Sequence, residues 1–447
     1  MWTVAQLGTA LDAGRTSSRE LVEQALARID DRSGEGARAF LKVYADGARA
    51  EADYCVRLRK LGVRRSAVDG LPVSLKDLFD VAGEVTRAGS KIRSNFEPAK
   101  TDAAAVARLR AAGAIFIGRT NMVEFAFGGV GLNPHYGTPK NPYDRKAGRV
   151  PGGSSSGAAV AQADGMAVMS LGSDTRGSVR GPAALCGVTG WKPTARRVPR
   201  EGAFPLSFTL DSVGPLANSV ACCAAYDAIL AAEPQAPLPQ LEARGLRLLL
   251  PRSTALDDLD DQVGKAFQQS LSRLSKAGAA IGERPVPQFD RQAEYFRGGG
   301  YAGAEAYHIH RANEGRIGEY DPRVGKRVLL GKSITASEYL SFGDLRAEFM
   351  REVAELCAGF DAILMPTVPC IAPTIAEAGA SDEDYFRWNM RILRNNGLSN
   401  FLDGCAASLP CHEPGGAPVG LMVCGLAGSD RHTLAVSAAI ERALARD

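Results

Sequence analysis

The chain has 447 residues, 45% of them hydrophobic and 23% charged, which supplies apolar material for a large core and argues against a mainly disordered protein. Its 53 basic and 50 acidic side chains leave a formal charge of +3, too little to draw nucleic acid or an acidic membrane by charge alone. Nine scattered cysteines without C-x-x-C spacing read as reduced thiols, and with no basic leader and no 18-residue apolar run the expectation is a soluble, cytoplasmic protein.

Along the chain, Ser17-Ser18-Arg19-Glu20 has the form of a capping box ahead of Leu21, Val22, Ala25, Leu26 and Ile29, which recur with helical period. A helix is predicted over 46–61, stopped by Gly62, and short buried strands over 72–75 and 114–117 flank a helix over 103–112. The alternation returns with a strand over 246–250, a helix over 260–277, strands over 362–365, 406–410 and 419–424, and a last helix over 431–443. Strands alternating with helices make the fold class α/β. The proline-rich stretch 231–245 reads as a surface crossing, so 1–447 is taken as a single domain. Arg196-Arg197 reads as a solvated face. Segments 278–332 and 374–394 are expected to shape specificity but carry no legible motif.

Two glycine-serine loops stand out between Pro151 and Thr194, with Ser154 and Ser178 24 residues apart. Glycine lets backbone amides approach a ligand closely, so a serine among glycines presents both a hydroxyl and neighbouring N–H groups. The run from Gly152 to Gly157 and then Gly172-Ser173-Asp174-Thr175-Arg176-Gly177-Ser178 closely resembles the hallmark of the amidase signature family. Gly70 to Asp77, Gly118 to Phe125, Phe360 to Pro373 and Gly415 to Gly425 are similar to further blocks of that family, so the resemblance spans the chain.

The resemblance implies a large twisted mixed β-sheet covered by helices on both faces. It implies a small-molecule amide as substrate, an acyl-serine intermediate, no cofactor and no metal; the charge balance and hydropathy add no nucleic-acid or membrane partner, and the oligomeric state, a homodimer included, is left open. By the same resemblance Ser178 is the nucleophile, Ser154 the bridging serine on a cis peptide, and Lys76 the base. The amides of Thr175, Arg176, Gly177 and Ser178 would form the oxyanion hole, with Ser178 opening a short helix, and Ser155 and Asp174 would support the site through hydrogen bonds. A free lysine is protonated at neutral pH, so Lys76 needs burial, which Val73, Leu75, Leu78 and Phe79 can supply. Asp77 points to the opposite face of the strand.

Met122, Phe125, Phe127 and Trp191 are candidates either for an apolar substrate wall or for the core. Arg176 replaces the glycine of the commonest hallmark and reads either as a surface arginine paired with a neighbour or as a guanidinium at the site mouth that binds a carboxylate or carbonyl of the substrate. Gly153-Ser154-Ser155-Ser156-Gly157 formally matches a nucleophile elbow centred on Ser155, but the basic, glycine-rich residues before it are no strand. His308 and His310, two apart, make no persuasive metal pair on a helix. Alternatives within the family are a hydrolase of a urea-like compound and the A subunit of glutamyl-tRNA amidotransferase. Against the latter, 395–400 lacks the acidic residue expected to receive a glutamine amino group. An alternative of another class is a non-catalytic binding homologue.

Overall fold

In the computed structural model, which describes residues 2–445, one mixed sheet runs through the molecule. Its strands are β1 (Phe40–Val43), β2 (Pro72–Lys76), β3 (Ile115–Thr120), β4 (Met169–Asp174), β5 (Thr189–Lys192) and β6 (Ser212–Ala217). Then follow β7 (Arg247–Arg252), β8 (Ala280–Pro285), β9 (Ala362–Pro366), β10 (Ala406–Pro410) and β11 (Gly420–Cys424). They lie in the order β1-β3-β2-β4-β6-β5-β10-β11-β9-β7-β8. The central strands are buried along their whole length, as expected where helices cover both faces.

Strands β2, β3 and β4 are parallel, with Lys76 opposite Thr120 and Leu75 opposite Leu171. Their carboxyl ends therefore open on one edge, the usual place for a site in an α/β sheet. Strands β7 and β9 rejoin this sheet beside β11, although the chain reaches β7 only after the irregular and largely exposed stretch 233–245. That stretch crosses the surface and divides nothing, because both sides of it feed the same layer.

The predicted elements recur with ends moved by at most three residues; the strand expected over 114–117, for example, continues to Thr120. The segments without legible motifs fold too. They supply β8 and helices Gly300–His310, Pro322–Leu330 and Asp382–Phe401, and Tyr295, Phe349 and Phe401 pack ring on ring beneath them. Arg197 is no solvated residue: it pairs at 2.7 Å with both Asp227 and Glu233. Among the described residues no helix is long and apolar enough to cross a membrane.

Candidate active site

Lys76 ends β2 and is wholly buried, as are its chain neighbours Val73, Leu75, Leu78 and Phe79, each at most 1% exposed. Its Nζ donates to Ser154 Oγ at 2.7 Å and to Ser173 Oγ at 2.9 Å. Burial pushes the Lys76 ammonium down to about 7, against the opposing pull of Asp174 and Asp211, because a desolvated cation is disfavoured. Asp77 faces away, accepting from Arg119 Nε at 2.8 Å and from the Gly89 amide. Ser173 has no role legible in the motif itself. The signal for it is the two-residue period of β4, which turns Ser173 to the face opposite Asp174.

The first serine loop is held by the block that follows β3. The Gly153 amide donates to Gly129 O at 2.7 Å, the Val123 amide to Ser154 O at 3.0 Å, and the Gly157 amide to Asn121 O at 2.9 Å. The Gly153–Ser154 peptide is cis. Gly152 has φ +78° and a Cβ there would lie 2.9 Å from the Pro182 backbone, so no larger residue fits the turn. Ser155 leads directly into helix Ser156–Ala163 with no strand before it, which removes the nucleophile-elbow reading. The supporting hydrogen bond expected of Ser155 is also absent: its Oγ is buried without a partner among the described residues, and only its amide contributes, donating to Ser178 O at 3.3 Å.

The second loop wraps around Asp174. This carboxylate accepts from the amides of Gly177 at 2.7 Å and Val179 at 3.1 Å, from Asn400 Nδ2 at 2.9 Å, and from Arg180 Nη2 at 2.9 Å. Burial alone would raise the Asp174 carboxyl, but Arg180 outweighs it and holds the group far below the usual carboxylate range. Arg180 in turn donates to Asn400 Oδ1 at 2.6 Å and to the Asn396 carbonyl. Helix Asp382–Phe401 thus clamps the loop through asparagines, in a stretch where the sequence alone shows only the lack of an acid.

Two expectations change here. The Gly177 amide is engaged by Asp174, so it does not stand free beside Thr175, Arg176 and Ser178. The helix begins at Arg180, not at Ser178. Ser178, 4% exposed, instead lines a narrow crevice together with Thr175, Arg176, Phe127, Leu206 and Arg327. A larger surface hollow near Trp2 and Arg28 contains none of Lys76, Ser154 and Ser178.

Arg176 is not the paired surface arginine of the blander reading. It is 8% exposed, and its Nε and Nη2 are buried without hydrogen bonds among the described residues. Met122 and Trp191 do not line the crevice. Both are fully buried in the core, and the Trp191 indole N–H donates to Asp227 at 2.8 Å on the helix layer. Phe125 likewise packs inward, its ring 4.4 Å from His310 and 4.9 Å from Tyr320. Only Phe127 of the four apolar candidates reaches the crevice, because the two residues before it, Phe125 and Ala126, both take positive φ and turn the chain. His310 is occupied with Tyr320 Oη at 3.0 Å.

Residues 20–434 match the family described as Amidase. The chain is 37% identical over 450 residues to the 2-amino-5-chloromuconic acid deaminase of Comamonas testosteroni, covering 98% of this chain and 96% of that one. It is 33% identical to the A subunit of the glutamyl-tRNA(Gln) amidotransferase of Anaeromyxobacter dehalogenans, over 98% and 95% of the two chains. A crystal structure of an amidase superposes with a TM-score of 0.87 at 33% identity, over 99% of both chains.

Proposed function

The chain belongs to the amidase family, and from that premise we propose that it hydrolyses the C–N bond of a small-molecule amide through an acyl-Ser178 intermediate. The observation that carries this reading is the 2.7 Å contact between Lys76 Nζ and Ser154 Oγ, made by a lysine that burial has brought to about 7. A neutral Lys76 accepts the Ser154 proton as Ser154 takes that of Ser178, and the freed Ser178 Oγ attacks the carbonyl carbon. The developing oxyanion is met by the amides of Thr175, Arg176 and Ser178. The proton returns along the same path to the leaving nitrogen, the C–N bond breaks, and water then releases the acid from Ser178. The relay calls on side chains alone. The cysteines are all free thiols, which fits a reducing cytoplasm.

A deaminase as a relative supports ammonia as the nitrogen product. The alternative, an amidotransferase chain, draws on the similarity reported above, and glutamine hydrolysis coupled to co-purifying partner proteins would replace the present proposal. The direct test is labelling with a fluorophosphonate followed by mass mapping, with Ser178 expected to carry the adduct. Ser178→Ala should lose several orders of magnitude in ammonia release, against about 10⁶ when a serine protease loses its nucleophile. Retention of more than a tenth of the rate overturns the assignment, and a folded but unlabelled protein favours a binding role.

A further inference from the structure

The crevice in front of Ser178 is lined, among the described residues, by two cations and no anion: only Arg176 and Arg327 are charged. Arg176 enters from the loop after β4, its guanidinium carbon 3.6 Å from the centre of the Phe296 ring and two of its nitrogens buried with no acceptor. Arg327 enters from helix Pro322–Leu330, with its guanidinium carbon 4.0 Å from the Phe127 ring centre and Nη1 donating to the Phe127 carbonyl at 2.8 Å. Burial first, and the charge of Arg327 second, push the Arg176 guanidinium down to about 9; burial also lowers Arg327.

Three carboxylates on elements beside Arg176 are committed elsewhere, while Asp321, at the start of the Arg327 helix, accepts from the Arg323 amide through Oδ1 and keeps its Oδ2 unbonded among the described residues. Asp174 is held by Arg180. Asp211 accepts from Thr175 Oγ1 and the amides of Leu206 and Ser207, while Glu305 serves Ser207, Thr209 and Tyr339. An aromatic face attracts a cation but accepts none of the in-plane N–H groups of the guanidinium fork. Buried charge without a partner is costly in the free protein, and such local costs gather where a ligand later supplies the missing group.

We propose that Arg176 and Arg327 together receive a carboxylate of the substrate, so that the preferred substrate is a small amide that also carries a carboxylate close to the scissile bond. This inference rests on the acyl-serine reading and specifies its substrate class. The planar forks suit a carboxylate, each offering parallel N–H donors to its two oxygens. Arg176 lies two residues before Ser178, which sets the anion a short distance from the attacked carbon.

The test compares matched amides, succinamate against butyramide and glutaramate against pentanamide, by ammonia release. The wild type should favour each carboxylate member by about 100-fold in kcat/KM, the scale of a desolvated, charge-assisted contact. That preference should collapse below about tenfold in Arg176→Gln and in Arg327→Gln. Succinate, used as a probe of the site, should raise the melting temperature of the wild type saturably and that of neither variant. Equal rates within each pair, or variants that keep the preference, overturn the clamp and leave Phe296 alone to account for Arg176. The two readings fail separately. A labelled Ser178 with no preference for the anion sinks only the clamp. An unlabelled Ser178 with no ammonia from any amide sinks the acyl-serine reading, and the succinate melt then still decides whether the arginines bind an anion.

Discussion

Replacing Lys76 by methionine should abolish activity and yet make the protein more stable at low pH. Methionine keeps the length and apolar stem of the side chain and removes an amine that is wholly buried. The drop from 10.5 to about 7, at about 1.4 kcal/mol for each tenfold change in proton affinity, is a cost of about 5 kcal/mol on the folded state below pH 7. Against it stand the contacts to Ser154 and Ser173, whose loss and whose orphaned hydroxyls cost about 2 kcal/mol in sum. The sign follows from proton counting. The folded pKa is depressed, so between about pH 7 and 10.5 the unfolded chain binds more protons at this site, and the wild type gains stability as pH rises. The advantage of Lys76→Met should therefore be about 3 kcal/mol at pH 6, shrink by about 1.4 kcal/mol per pH unit above 7, and change sign near pH 9. Urea midpoints for both proteins at pH 6, 7.5 and 9, followed by circular dichroism, read this directly. A variant less stable than the wild type at pH 6, or a difference that does not move with pH, would refute a lysine poised by burial.

The same lysine governs catalysis, so kcat/KM should rise with pH about a midpoint near 7, where Lys76 loses its proton and becomes able to accept one; a midpoint above pH 9 would mean that the base titrates as an ordinary lysine. Arg180→Met should cost about 3–5 kcal/mol in urea denaturation, because it strands Asp174 in a site where both partners are fully buried, and a loss below about 1 kcal/mol would show that the backbone amides alone hold the loop. Gly177→Ala should give little folded protein in soluble expression, since φ is +117° and the added Cβ would meet that of Asn396 at 2.4 Å. Near-normal yield and melting temperature would mean that helix Asp382–Phe401 can yield there.

Much of the local structure lay in short-range signals. The capping box at Ser17 and the apolar period behind it give helix Ser18–Asp30, with the Ser17 hydroxyl accepting from the Glu20 amide. Strand β10 spans Ala406–Pro410, the bounds expected from the sequence. The motif residues were equally legible, since the chemistry of a serine between glycines and of a lysine among apolar neighbours is written within a few positions. Less legible were the assignments that depend on which way a side chain faces once elements pack. Trp191 on β5 and Met122 in the loop after β3 are apolar residues near the motifs, but both pack into the core; Ser155 sits in the right loop, its hydroxyl without a partner among the described residues.

The α/β class, the strand that carries Lys76 and the two loops that carry Ser154 and Ser178 were legible in the residues, because period, capping and turn chemistry act over neighbouring positions. The packing of distant elements settled that Ser173 completes the lysine's hydrogen bonds, that Asp174 takes the Gly177 amide for itself, and that Arg176 lies buried, without a hydrogen bond among the described residues, in the crevice that Arg327 also lines. Those outcomes depend on contacts between residues as far apart as 174 and 400, and burial, the property that sets the charge of Lys76, exists only once the whole sheet and its helices have closed.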